Sequence, residues 1–158
     1  MDGKYPRRFS AKMNIFFDVD YTIMGADGSL RRNTTETFSK LVADGHKIFI
    51  WSGVGVRTAE VRRFGLADYV TKVFQKPLED FEAALPGLGV FTPPDFIIDD
   101  HPEIVRFFGG FICRPYYFRN VKDTEMDEIY QTISEVSESG SSGHKAYRAG
   151  MRRAADQT

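Results

Sequence analysis

The first sustained apolar segment, MNIFFDV at residues 13–19, shows no polar alternation. Consecutive hydrophobic positions point to both faces of a strand, so this run predicts a strand covered on both sides. HKIFIW (46–51), YVTKVF (69–74), DFIIDD (95–100) and GGFICRPYY (109–117) predict four more. Between them the period becomes helical. Phe38, Leu41 and Val42 recur at i, i+3, i+4 after a candidate cap at Thr34 or Thr35, and Gly45 follows as a stop. RTAEVRRFGL (57–66) can turn Val61, Phe64 and Ala59 inward. Residues 78–85 are a third helix candidate, and DTEMDEIYQTISEV (123–136) is a closing helix capped by Asp123 or Thr124. Asp27-Gly28 within GADGSL (25–30) marks the turn of a small hairpin or flap. Strand and helix alternate throughout, which predicts a doubly wound, Rossmann-like α/β domain with a mostly parallel sheet.

That domain spans 13–138, between a basic N-terminal arm (1–12) and a flexible Gly/Ser linker with a basic C-terminal tail (139–158). The tail is expected to become helical only on contact with a partner. A chain of 158 residues with 42% hydrophobic side chains can bury a core as one domain without cross-links. A net charge of −1 steers it toward neither nucleic acid nor an anionic membrane, and local basic patches remain open. Cys113 is the only cysteine, which excludes an intramolecular disulfide and suits a reducing, cytoplasmic setting. Cys113 and Trp51 read as core, and His46 and His144 as solvated. The three histidines have no zinc spacing. No apolar run reaches the length of a membrane span or signal peptide.

The chemistry collects at strand ends. The first predicted strand ends in Asp18 and Asp20, the second in Ser52, the third is followed by Lys76, and the fourth ends in Asp99 and Asp100. In an open parallel sheet these ends share the edge where ligands bind. Singly, each has an ordinary reading: an Asx-turn for the aspartates, turn chemistry for Ser52-Gly53, a surface lysine before Pro77. Together, several carboxylates at one edge repel each other unless a cation compensates, and oxygen ligands point to Mg²⁺, which typically also takes a substrate phosphate. Ser52, the backbone of SGVG and Lys76 then offer donors to the other phosphate oxygens.

DVDYT, WSG, FQKP and IIDD, in that order and each at a strand end, resemble the four motifs of the haloacid dehalogenase-like (HAD) hydrolase superfamily. The resemblance covers residues 14 to about 104. It implies five strands in the order 3-2-1-4-5 and a Mg²⁺-dependent phosphatase. Asp18 would be the nucleophile forming an aspartyl-phosphate, and Asp20 the general acid and then base. Thr22 would shape the loop and, with Ser52, Gly53 and Lys76, surround the phosphate. Metal ligands would be Asp18, the Asp20 backbone carbonyl and Asp100, with Asp99 acting directly or through water. Asp20 argues against dehalogenation, since the halide-removing members do without both it and the metal. Tyr21 departs from the motif, where phosphatase members commonly have glycine. Glu103 and His101 flank the fourth motif.

Only 29 residues separate Thr22 from Ser52, and 23 separate Ser52 from Lys76, too few for the cap domain that usually selects substrates in that family. A capless member implies an open site suited to a large phosphorylated substrate such as a phosphoprotein, nucleic-acid end or glycan, or a site covered by another subunit of an oligomer. Tyr21, Arg31, Arg57 and Arg114 are candidate substrate contacts. Two other functions remain open at this stage: a catalytically weak domain that binds a phosphorylated partner, and a phosphotransferase.

Overall fold

The computed structural model describes residues 11–151. Its elements are β1 (Asn14–Asp18), α1 (Thr34–Ala43), β2 (Lys47–Ser52), α2 (Thr58–Arg63), β3 (Val70–Gln75), α3 (Phe81–Ala84), β4 (Phe96–Asp99), α4 (Pro102–Phe108), β5 (Gly110–Ile112), α5 (Glu125–Ser139) and β6 (Tyr147–Arg148). They form one mixed sheet in the order β3-β2-β1-β4-β5-β6, parallel except for the β5–β6 pair.

The unbroken apolar runs do cover both faces. Ile15, Phe17, Ile48, Ile50, Phe96 and Ile98 pack under Phe38 and Leu41 of α1, Val61 of α2, and Met126, Ile129 and Ile133 of α5. On the opposite face Phe16, Phe49, Trp51, Phe74 and Ile97 pack against Leu85 and against Ile104, Val105 and Phe108 of α4. Phe16 stacks on Phe49 with centroids 4.7 Å apart and lies 4.6 Å from Trp51. Helices therefore switch faces between β3 and β4, while β1 and β4 are neighbours. That reversal makes the crevice at the carboxyl ends of β1 and β4 the switch point of the sheet, where an open α/β fold takes its ligands.

Several elements differ from the sequence pattern. Asn33, in a left-handed conformation (φ 65°), precedes α1 where a threonine cap is expected. Thr34 instead turns its hydroxyl back to the Arg31 carbonyl, 2.7 Å away. The helix expected over 78–85 shrinks to Phe81–Ala84, since Asp80 is left-handed (φ 49°). In α2, Val61 is buried and Phe64 packs on the core, but Ala59 is exposed. The fifth strand stops at Ile112, and Pro115 has no N–H with which to extend it.

The basic tail corrects the expectation most. Tyr147 and Arg148 pair antiparallel with Phe111 and Gly110, adding a sixth strand. The two backbones approach so closely that a Cβ at Gly109 would lie 2.7 Å from the Ala149 carbonyl oxygen. Residues 1–10 of the arm and 152–158 of the tail lie outside the described residues.

Neither His46 nor His144 is simply solvated. His144 Nε2 lies 2.9 Å from Glu128 Oε1, and its ring packs on Phe111. His46 is buried and its Nδ1 accepts the Met13 backbone N–H at 3.1 Å. Burial pushes the His46 imidazole below its usual range, with Lys12 adding to the effect and Asp44 opposing it. The unfolded chain therefore takes up a proton that the folded chain refuses. Stability from this site is complete above the unfolded value of about 6.5 and is lost as pH falls below it. Urea unfolding followed from about pH 7.5 to 5 should show that decline. His46→Asn, which keeps an acceptor without titrating, should flatten it; an unchanged slope in the variant would assign the decline to other groups.

Candidate active site

Because β1, β2, β3 and β4 run parallel, Asp18, Ser52, Lys76 and Asp99 emerge at one edge. Lys76 leaves β3 by donating its N–H to the Ser52 carbonyl at 2.9 Å. Its side chain is buried, and Nζ donates to Asp18 Oδ1 at 3.2 Å and Asp99 Oδ2 at 2.9 Å. The Lys76 reading as a surface lysine is excluded by this burial. Thr22, one tight turn beyond β1, donates its hydroxyl to Asp18 Oδ2 at 3.0 Å. Both Asp18 oxygens are thereby oriented from within the protein. Cys113 lies behind Thr22, with Sγ 3.6 Å from Oγ1, and burial holds its thiol far above its usual range. It is an unreactive core group.

Asp99 and Asp100 divide the labour differently. Asp99 is fully buried; Oδ1 accepts the His101 backbone N–H at 2.9 Å and Oδ2 accepts Lys76. Asp100 reaches the surface slightly, and its Oδ1 has no hydrogen-bond partner. His101 Nδ1, itself largely exposed, comes within 3.4 Å of that oxygen without bonding to it. Glu103, in the first turn of α4, is exposed and is not one of the clustered residues.

Asp18, Asp99, Asp100 and His101 bring one ligand atom each within 4.8 Å of one another. Three carboxylates thus face one buried ammonium. Burial, reinforced by the Asp99 charge, holds the Asp18 carboxyl well above the usual carboxylate range, against the pull of Lys76. Burial and Asp99 likewise raise Asp100. Burial opposes the charge on Lys76, but Asp18 and Asp99 outweigh it and raise its pKa. The orphaned Asp100 oxygen and the excess negative charge fit a hard divalent cation better than a self-contained ion-pair network. Asp18 and Asp100 are the residues placed to hold one, with Asp99 behind them.

Asp20 sits on the accessible side of the cluster. Its Oδ2 accepts Arg57 Nη2 at 2.7 Å and the Ser52 hydroxyl at 3.3 Å. Arg57 also bonds Glu60 Oε2 at 3.1 Å. Arg57 is therefore an orienting partner of Asp20, a role that no sequence spacing announces. Ser52 is buried, and its Oγ accepts the Val54 N–H at 3.2 Å. A Cβ on Gly53 would meet Leu78 Cδ2 at 2.6 Å, the far end of an exposed side chain that can swing aside, so packing alone does not demand glycine in the turn carrying Ser52.

Two candidate contacts lie elsewhere. Arg31 is buried, with Nε on Asp123 Oδ2 at 2.9 Å and Nη1 on the carbonyls of Thr22 and Arg114. It ties the flap to the loop after β5. Arg114 is exposed but binds Glu125 and Glu128, at 2.9 and 3.0 Å. Tyr21 remains at the rim, 41% exposed, with φ 63° and its ring tilted against Tyr117 at 5.5 Å.

Compared with protein families, curated proteins and solved structures, the chain matches none. No helix among the described residues is long and apolar enough to cross a membrane.

Proposed function

We propose that the chain is a Mg²⁺-dependent phosphatase of the haloacid dehalogenase-like type, hydrolysing a phosphomonoester through an aspartyl-phosphate on Asp18. The observation that carries this reading is the under-neutralised cluster of Asp18, Asp99 and Asp100 around buried Lys76, with Asp20 held beside it.

In this reading an Asp18 oxygen attacks phosphorus in line, the P–O bond to the leaving alcohol breaks, and Asp20 delivers a proton to that oxygen. Asp20 then takes a proton from water as the water attacks phosphorus, releasing inorganic phosphate and restoring Asp18. Arg57 and Ser52 both engage Asp20 Oδ2, which leaves Oδ1 to carry the proton. Lys76 and the Thr22 hydroxyl keep Asp18 aimed, and Lys76 offsets charge developing in the transition state. Asp18 and Asp100, with the Asp20 carbonyl, would hold Mg²⁺, which would offset the charge of the carboxylates and of the phosphoryl group. Tyr21 stands where members of that superfamily commonly have glycine, and its positive φ supplies the physical reason for their preference.

Mg²⁺-dependent phosphate release from an aryl phosphate tests the reading, and turnover that survives complete chelation would sink it. Arg57→Gln is expected to lower kcat about tenfold, a fraction of what a positioned general acid contributes. Stability should change by less than about 1 kcal/mol, since the Arg57–Asp20 pair is partly exposed. Arg57→Lys should recover part of kcat. A fall in stability matching the fall in rate would make Arg57 a merely structural residue.

A further inference from the structure

The loop leaving β5, RPYYFRNVK at residues 114–122, interleaves three cations with aromatic rings and contains no acidic residue. It begins at the same sheet edge as the carboxylates: Cys113 donates its N–H to the Asp99 carbonyl at 3.0 Å, and Tyr116 donates to the Tyr21 carbonyl at 2.8 Å. The loop is locked to the flap. A Cβ on Gly25 would lie 2.6 Å from the Tyr117 carbonyl oxygen, and Asp27 accepts the Arg119 N–H at 3.1 Å. Tyr21, directly after Asp20, packs on Tyr117, and three aromatic residues are open to solvent there: Tyr21, Tyr117 at 52% and Phe118 at 68%. A cavity of about 470 Å³ lies along the loop, lined by Arg31, Tyr116, Tyr117, Phe118, Arg119 and Lys122, large enough for a nucleoside. The Arg31 guanidinium is consumed by Asp123 and two carbonyls, and Arg114 by Glu125 and Glu128. The side chains of Arg119 and Lys122 have no partner among the described residues.

We infer that this strip is a binding track for single-stranded nucleic acid, which brings a terminal phosphate to Asp18. Where the phosphate goes rests on the phosphatase reading; the track itself does not. Exposed rings offer stacking faces to unpaired bases, which a duplex hides, and the two cations of the same loop match backbone phosphates beyond the scissile one. A phosphotyrosine peptide brings one ring and one phosphate, and leaves Arg119, Lys122 and the second and third rings without an assigned contact. The near-zero net charge does not oppose this, because Arg119 and Lys122 leave two cations on the loop itself that are unpaired among the described residues.

The test uses a labelled mixed-sequence DNA strand of about ten nucleotides, within the span of known single-strand sites, phosphorylated at one end or the other. Binding to the full chain carrying Asp18→Asn is followed by fluorescence anisotropy, beside turnover of the same strand, an aryl phosphate and a phosphotyrosine peptide by the unaltered chain. Binding is expected to weaken about tenfold in Tyr117→Ala/Phe118→Ala, from the loss of stacking. In Arg119→Ala/Lys122→Ala it should weaken and lose part of its salt dependence. Aryl phosphate turnover should be unchanged in both. Binding of the strand without turnover of any phosphate supports the track and overturns the phosphatase reading. Turnover of aryl phosphate with no strand binding, or a preference for the phosphotyrosine peptide, overturns the track and leaves the phosphatase reading standing.

Discussion

Asp18→Asn is expected to slow phosphate release from an aryl phosphate by about a thousandfold or more, the scale on which removal of a covalent nucleophile acts. The amide cannot form the acyl phosphate, and the neighbouring carboxylates are engaged otherwise, Asp100 in this reading by the cation. Asp99 is fully buried and bonded to Lys76 and the His101 N–H, while Asp20 is held by Arg57 and Ser52. The same substitution should stabilise the metal-free fold, by on the order of 1 kcal/mol, because it removes a charge that burial and Asp99 disfavour. Its amide oxygen can still accept from Lys76 while its N–H donates to the Thr22 hydroxyl. Turnover and stability therefore move in opposite directions, as they do where a site has been assembled against the preference of the fold. Parallel measurements of phosphate release and of chelated urea unfolding check both signs. Turnover within tenfold of the unaltered chain would remove Asp18 from the covalent role, and a loss of both properties would make it a structural residue.

The strands were legible because burial on two faces leaves unbroken apolar runs, and the sheet edge was legible because parallel strands carry their last residues to one side. Asp18, Ser52, Lys76 and Asp99 meet for that reason alone. What stayed hidden depends on contacts between segments distant in sequence. Arg57 reaches Asp20 across 37 positions, and Arg31 reaches Asp123 across 92. Neither pairing has a periodic signature, so the sequence marks both arginines only as cations and does not show that one turns to Asp20 and the other to Asp123. His46 similarly becomes a core acceptor only because β1 passes beside it at Met13. The tail shows the limit of composition: a Gly/Ser stretch reads as flexible, yet Gly109 and Gly150 allow the backbone approach by which Tyr147 and Arg148 join β5. By contrast the Asp18–Thr22 hydrogen bond was accessible from spacing, since the turn after β1 brings i and i+4 together.

Lys76→Met is expected to be the most destabilising single change at the site, by about 3–5 kcal/mol near neutral pH without divalent cations, the penalty for stripping the partner from buried charges. Methionine fills much of the same volume, so the loss isolates the ammonium and its bonds to Asp18 and Asp99. Burial and Asp99 already raise the Asp18 carboxyl, with Lys76 restraining the shift; removing the lysine raises it further. A folded chain with raised carboxyls holds protons that the unfolded chain has released above about pH 4. Its stability therefore falls as pH climbs out of that range, and the deficit of Lys76→Met should be small near pH 4 and grow as pH rises above it. Mg²⁺ should reverse part of it, since saturation at a hundred times Kd contributes about 2.7 kcal/mol to a fold that alone binds the ion. That gain should disappear in Asp100→Asn, which lacks the carboxylate whose oxygen is left without a hydrogen bond. Urea unfolding from about pH 4 to 8, chelated and with Mg²⁺, resolves the outcomes. If the Lys76→Met curve runs parallel to that of the unaltered chain at every pH and Mg²⁺ shifts neither, the lysine is packing and the carboxylates are no cation site.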